Sequence, residues 1–387
     1  MRIAHFCDSQ PGRPDGVARS AELTVRLLRE AGHDVDLYRP GPLMSGPGVR
    51  SLPVPFRQVR VGLPFTPRPA DVVHVHSTGP IGMTGFRAAA DWGVPLVATW
   101  HTDVVAYADM FVEVPIGAAW CARQLGLGWS AREYLELTRP GAIRHRRLIE
   151  LGKGMFARMA VAIAPSDKTA AGFAEFEPAC EVRVLPTPVP ATTLEPVRNN
   201  GSVVLSVGRA TAEKNPELLL QAFDRVRTAR PDARLVLLGV RQQRRHLARR
   251  IAALGLDRHV EVHPPVPHDQ VAGFYRAADV LAFASTTDTQ SLVLAEAEAI
   301  GLPVVVADPG LAARPGTADA ARFTCEPTPE ALAAALLRML DDDALRAAVT
   351  REGRAAVAAY TPEVFLGRLQ AIYGRAGKSP GRTSPHW

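Results

Sequence analysis

Ala284-Ser285-Thr286-Thr287-Asp288-Thr289-Gln290-Ser291-Leu292-Val293-Leu294-Ala295-Glu296-Ala297-Glu298-Ala299-Ile300-Gly301-Leu302-Pro303-Val304-Val305 is the stretch whose reading decides the fold. It follows a short apolar run at 280–283, of strand length. A polar loop leads into an apolar helix, Gly301 stops that helix, and a second β-branched strand begins at 303–307. Strand, loop, helix and strand in that order predict parallel α/β architecture.

Outward from this stretch the alternation continues. Towards the N-terminus, strands are expected at 260–263, 234–238 and 202–207. A helix is expected at 216–229, opened by Pro216 and closed before Arg230-Pro231. Towards the C-terminus, helices are expected at 329–340, 343–359 and, after Pro362, to about Gly374. The first half repeats the pattern, with strands at 2–6, 33–38, 71–76, 95–100 and 161–164 and a helix at 18–31. Residues 104–160 read as largely helical, broken near Arg139-Pro140-Gly141. Between the halves, Leu185-Pro186-Thr187-Pro188-Val189-Pro190 to Asn199-Asn200-Gly201 resists regular structure and reads as a linker. The expected organisation is a domain at 1–190, a second at 200–360, a final helix at about 362–374 crossing back onto the first, and a disordered tail at 375–387. Two such α/β domains imply a cleft between them, with ligands at the carboxyl ends of strands.

The chain has 387 residues, enough for two cores, with 47% hydrophobic content. No apolar run reaches membrane-span length, and the N-terminus reads as a strand rather than a signal peptide, so a cytosolic location is expected. Four scattered cysteines form no CxxC pair, which weighs against a metal knuckle. The net charge of +6 is spread over both halves, with clusters from Arg139 to Arg158 and from Arg241 to Arg250. Each cluster is either a solvated helix face or a phosphate-facing patch. No basic-aromatic motif supports nucleic-acid binding. P-loop, G-x-G-x-x-G and G-x-S-x-G signatures are absent. Asp34-Val35-Asp36 reads as a surface pair, and Asp341-Asp342-Asp343 as a helix-end or N-cap cluster.

Three constellations carry chemistry. Gly208-Arg209-Ala210-Thr211-Ala212-Glu213-Lys214 lies where a strand ends and a helix begins. Its two cations would bracket a diphosphate, Arg209 as a fork and Lys214 as a point charge, unless both are simply solvated. In the opening stretch, backbone N–H groups at residues 290–292 would face a phosphate. Glu296 would accept from two vicinal hydroxyls, in a ribose-like pattern. The alternative makes Asp288 a helix cap and Glu296 an exposed helix residue. Thr99-Trp100-His101-Thr102-Asp103 delivers His101 at the carboxyl end of a buried strand.

Taken together these segments resemble family 4 of the retaining glycosyltransferases, over nearly the whole chain. Asp15-Gly16-Val17 resembles the family's first glycine loop, Thr99-Trp100-His101-Thr102 its histidine segment, and Ala164-Pro165-Ser166 its serine-bearing strand end. Gly208-Arg209 with Glu213-Lys214 resembles its diphosphate clamp, and Asp288 to Glu296 matches its E-x7-E spacing. The resemblance implies a GT-B fold, two Rossmann-like parallel-sheet domains facing across a cleft. It implies a hexosyltransferase with no metal and no cofactor beyond its sugar-nucleotide donor, and retention at the anomeric carbon. Gly16 would approach the diphosphate, and Arg209 and Lys214 would neutralise it. Gln290, Ser291 and Leu292 would line the phosphate loop. Glu296 would hold the ribose, Asp288 would orient the hexose, and His101 would contact its 6-hydroxyl region. The Val266-Pro267-His268 backbone would read the base. The chain departs from the family at Asp288 (usually Glu), Ser291 (usually Gly), Pro188 and Pro265.

The implied acceptor is a lipid, or a small polar molecule such as an inositol, aminocyclitol or antibiotic precursor. This places the chain in glycolipid or secondary metabolism. The stretch from Met110 to Trp129 with the Arg139–Arg158 cluster would serve either as a peripheral contact at the inner membrane face or as a lid. Two other readings stand beside this one: a sugar-nucleotide epimerase or hydrolase on the same fold, and a non-catalytic basic binding protein.

Overall fold

The structure is a computed structural model and describes residues 1–9, 16–40, 49–51, 60–62, 66–192, 202–241, 243–315 and 317–377. Asp15, most of the linker (Asn199, Asn200 and Gly201 included) and residues 378–387 of the expected tail lie outside them. The chain divides into two compact units, Met1–Thr187 with Glu363–Trp387, and Pro188–Pro362.

In the first unit six parallel strands run in the order Asp34–Tyr38, Arg2–Phe6, Val72–Val75, Leu96–Thr99, Val161–Ala164 and Glu181–Val184. The chain order reverses between Arg2–Phe6 and Val72–Val75. The loops leaving their carboxyl ends therefore diverge, the place where open α/β sheets bind ligands. Strand side chains alternate between faces. Ala4, Phe6, Val73, Val75, Ala98 and Trp100 enter one apolar core, with Trp100 stacked on Phe156 at 5.2 Å. His5 and His74, directly opposite in register, point to the other face.

The helix Pro80–Trp92 starts just after Val72–Val75. Its own N-cap, Gly79, has no side chain to offer, and Asp8 substitutes from the end of the first strand. Asp8 accepts from the N–H groups of Ile81 (2.8 Å) and Gly82 (3.1 Å). A Cβ on Gly82 would stand 1.7 Å from the Ser77 carbonyl oxygen, so only glycine fits there.

The expected helical region 104–160 is cut more often than its one proline break. Its helices are Val104–Ala108, Glu113–Gln124, Ala131–Glu136 and Ala142–Phe156. Gly126 and Gly128, both at positive φ, and the Ser130–Glu133 capping box make the additional break before Ala131. The last helix, Pro362–Ala376, packs into this unit, with Phe365, Leu369, Ile372 and Tyr373 buried.

The second unit repeats the plan. Its parallel strands run Val260–His263, Arg234–Leu238, Val203–Val207, Val280–Phe283, Val304–Val306 and Phe323–Thr324. Here the order reverses between Val203–Val207 and Val280–Phe283, the strands that feed the clamp and the decisive loop. The loops after Val203–Val207 and Arg234–Leu238 approach so closely that a Cβ on Gly239, at φ +101, would lie 2.9 Å from the Gly208 carbonyl oxygen. Asp342 caps Asp343–Ala359, accepting from the Leu345 N–H at 2.9 Å, the N-cap role its cluster predicted.

Candidate functional site

The strand Val203–Val207 ends in Gly208-Arg209, and the turn 211–214 follows. The Thr211 hydroxyl donates to Glu213 Oε1 at 2.5 Å, and Arg209 pairs with the same oxygen at 2.9 Å. Glu213 is fully buried; the sequence reading named it beside Lys214 in the clamp but gave it no role of its own. The neighbouring loop fixes this turn from outside. Ser285 and Thr287 hydroxyls donate to the Glu213 carbonyl at 2.6 and 3.4 Å.

Those two bonds set Lys214 against Asp288. The Lys214 ammonium donates to both carboxylate oxygens, at 2.8 and 2.7 Å, with both side chains partly buried. Asp288 is therefore not the cap of the following helix. The helix N-cap is Ser291, which makes no side-chain cap bond. Residues assigned to opposite ends of a donor, phosphate for Lys214 and hexose for Asp288, share one charge-assisted pair.

Ser291 sits at φ +61 and ψ 104, a left-handed backbone that an L side chain rarely adopts. Ser291→Gly is expected to raise stability by about 1 kcal/mol by relieving this strain. A urea titration showing equal or lower stability would exclude it. Gln290 and Leu292 flank Ser291, both half-buried.

The helix Leu292–Ile300 is buried from Leu294 to its end. Glu296 is thus not an exposed helix residue. It accepts a hydrogen bond from the Tyr275 hydroxyl at 3.0 Å, a partner the sequence did not announce. Glu298, two residues on, has a different task. It takes bonds from Arg314 Nε (2.9 Å) and from Arg322 Nε and Nη2 (both 3.0 Å), all three side chains being buried. This holds the Ala313–Arg314 and Thr317–Ala321 hairpin, which the sequence reading missed, to the helix. Glu298→Gln would leave two guanidinium groups facing a neutral amide. It is expected to cost about 2–3 kcal/mol, read as an earlier urea midpoint.

The remaining predicted donor residues lie apart in sequence. Val266 is half-buried against the core of the second unit, and His268 is exposed as the first residue of the helix His268–Arg276. In the first unit, Gly16 opens the helix Gly16–Glu30 and is exposed. Ser166 caps Asp167–Gly172, accepting from the Thr169 N–H at 3.2 Å.

His101 follows the strand Leu96–Thr99 and is half-buried. Its Nε2 lies 3.3 Å from Nδ1 of buried His76. His5, His74 and His76 form a buried group whose ring nitrogens lie within 4.8 Å of one another, a spacing that could hold a metal ion. Each of those nitrogens has a hydrogen-bond partner in a histidine, Tyr373 or Thr99. Burial, then neighbouring histidines, holds the pKa of all three well below the usual histidine range, so they are neutral.

The basic cluster of the first unit is largely spent internally. Arg144 is buried against Asp109 and the Ala108 and Leu137 carbonyls. Arg147 pairs with Glu133, Glu136 and Glu150, and Arg158 reaches the Gly154 and Leu125 carbonyls. These arginines are not a phosphate-facing patch. Val112, Ile116 and Trp120, spaced by one helical turn along and just before Glu113–Gln124, are exposed. Among the described residues no helix is long and apolar enough to cross a membrane.

Two family models match the chain: glycosyltransferase family 4 over residues 14–192, and glycosyl transferases group 1 over residues 195–356. A D-inositol 3-phosphate glycosyltransferase of Xylanimonas cellulosilytica is 32% identical over 324 residues, 80% of this chain and 72% of that protein. An alpha-monoglucosyldiacylglycerol synthase of Streptococcus pneumoniae is 23% identical over 337 residues, 79% and 70% of the two chains. Among solved structures, sucrose-phosphate synthase from Thermosynechococcus elongatus superposes with a TM-score of 0.69 at 19% identity, over 97% of this chain and 98% of that one. Anabaena Alr3699/HepE in complex with UDP-glucose gives 0.63 at 15% identity, over 97% and 100%.

Proposed function

Since the chain belongs to the family 4 glycosyltransferases and has their GT-B fold, we propose that it moves a glucose- or mannose-type hexose from a nucleoside-diphosphate sugar to an acceptor hydroxyl, with retention at the anomeric carbon. The observation that carries this reading is the Lys214–Asp288 pair. It joins two motifs 74 residues apart at the point where the strand order of the second unit reverses.

In this reading Lys214 leaves Asp288 for the donor diphosphate, and Arg209 turns from Glu213 to the same phosphates. Both then stabilise charge on the departing nucleoside diphosphate without a metal. The released Asp288 carboxylate is free to accept from hexose hydroxyls. Glu296, already oriented by Tyr275, accepts from the ribose. N–H groups at 290–292 meet phosphate at the start of an apolar helix, where the helix dipole favours an anion. Gly16 approaches the diphosphate, the Val266-Pro267-His268 backbone reads the base, and His101 is assigned to the hexose.

For the acceptor, the relatives' names point to an inositol phosphate or a diacylglycerol lipid. The inward-turned arginines favour the small polar acceptor, because they leave little charge to hold an anionic bilayer. The exposed Val112, Ile116 and Trp120 favour a lipid. A thermal-shift panel of UDP-, GDP- and dTDP-sugars, followed by product analysis with inositol phosphate and diacylglycerol acceptors, tests the reading. Donor turnover to free sugar or an epimer with every acceptor would replace transferase by hydrolase or epimerase. Sedimentation with anionic liposomes at low salt separates the two acceptor classes.

A further inference from the structure

The two arginine clusters of the sequence part company in the structure. That of the first unit is largely spent on carboxylates and carbonyls. In the second cluster, Arg250 pairs with Glu217, its Nε donating at 2.8 Å. Arg241, Arg244, Arg245 and Arg249 are exposed, and among the described residues none of the four forms an ion pair. The helix Arg244–Ala253 buries only Leu247 and Ile251 and has no acid in its first turn. Arg244 and Arg245 open it, where cations oppose the helix dipole as well as one another. This charge costs the fold stability rather than adding to it.

Sheet order sets where the charge stands. Arg234–Leu238 lies between Val203–Val207 and Val260–His263, and Val207, Leu238 and His263 are level in register. The residues after Leu238 therefore emerge between the loops that leave the other two strands. On one side Gly239 lies against Gly208, the neighbour of Arg209. On the other, the Gly239 and Val240 N–H groups both donate to the His263 carbonyl, at 3.1 and 3.0 Å, three residues before Val266. Arg241 thus leaves the sheet between the segment assigned to the diphosphate and the segment assigned to the base. The clamp's own cations are already matched, Arg209 by Glu213 and Lys214 by Asp288. Arg241, Arg244 and Arg245 stand beside it unmatched.

We propose that Arg241, Arg244 and Arg245 draw the nucleoside-diphosphate sugar to the second unit by its phosphate charge, before Lys214 and Arg209 change partners. They set how tightly the donor is held. The proposal rests on the donor-site reading above. Attraction of this kind acts through solvent over a Debye length, so salt reads it.

The test is calorimetric titration of the full chain with UDP, GDP and dTDP, for wild type and for Arg241→Gln/Arg244→Gln/Arg245→Gln. At 10 mM salt, where the Debye length is about 30 Å, the triple variant is expected to raise Kd for the nucleotide that binds about tenfold. At 1 M salt, where it is about 3 Å, the two proteins are expected to agree within about twofold. The urea midpoint of the variant is expected to equal or exceed that of wild type, because cations leave the first turn of a helix. Equal Kd values at 10 mM salt would overturn the proposal. So would a tenfold difference that persists at 1 M, the mark of a short-range contact. Sedimentation with phosphatidylglycerol vesicles that the variant loses, at unchanged Kd, would assign the arginines to a membrane surface instead. Failure of the donor-site reading looks different: wild type would bind none of the three nucleotides at either salt, and the proposal would fall with it.

Discussion

Lys214→Ala is expected to lower transfer about a thousandfold, roughly 4 kcal/mol of transition-state stabilisation, while the far-UV spectrum and urea midpoint stay close to wild type. The loss falls on the step in which the diphosphate leaves, because an ammonium is most valuable where charge develops. It should therefore appear in kcat more than in donor KM. The variant also leaves Asp288 without its 2.7 Å partner, in a site where 16% of that side chain is exposed. That residual solvent contact keeps the stability cost small. Glu296 calls for a different substitution. Truncation to alanine would leave the Tyr275 hydroxyl buried without its acceptor, whereas Glu296→Gln keeps an oxygen in place and removes only the charge. Turnover within a factor of a few of wild type in both Lys214→Ala and Glu296→Gln would remove the donor-site assignment.

The second large effect is on stability in mild acid. His5, His74 and His76 are neutral in the fold because burial depresses their pKa values. In the unfolded chain each would take up a proton below about pH 6.5. The unfolded state thus binds more protons, and stability rises with pH across this range. The contribution is complete above about pH 6.5 and is lost as pH falls from there towards the depressed folded values. At pH 5.5 each imidazole has lost about 1.4 kcal/mol, so the three together cost about 4 kcal/mol relative to pH 7.5. Among the described residues, the titratable groups recorded against them are one another, His101, Arg29 and Tyr373, and none of these is a carboxylate that would rescue the charged form. Urea titrations at pH 7.5, 6.5 and 5.5 read this directly. A flat midpoint would mean that the rings are protonated in the folded protein.

The central strands of both sheets were legible because each is a short apolar run that both faces of a parallel sheet bury, as in Val280–Phe283 and Val161–Ala164. At the edges, Asp34–Tyr38 and Val260–His263 were legible, but the strands at the opposite edges were not. Glu181–Val184 is half-exposed and polar at alternate positions, and Phe323–Thr324 is two residues long, so neither carries an apolar run. In the site, residue types and spacing named Arg209, Lys214, Asp288 and Glu296. They could not announce that Lys214 touches Asp288, since that contact depends on which strands become neighbours. The same limit hid the buried histidine group. His74 and His76 share a face by simple alternation, but His5 joins them only through register, and Tyr373 through a helix nearly three hundred residues away. Glu296 and Glu298 look alike in sequence, and only the arginines of a hairpin beyond the helix separate their tasks.

The return of Pro362–Ala376 to the first unit has a consequence for synthesis on the ribosome. Domains generally fold in the order they emerge. Here the second unit, continuous from Pro188 to Pro362, is complete before the first one is. Until the last helix leaves the exit tunnel, the nascent first unit lacks Phe365, Leu369, Ile372 and Tyr373, and its histidine face stays open to water. A chain released early, just short of Glu363, would keep every donor-site residue named above and still present an unfinished unit to chaperones and proteases.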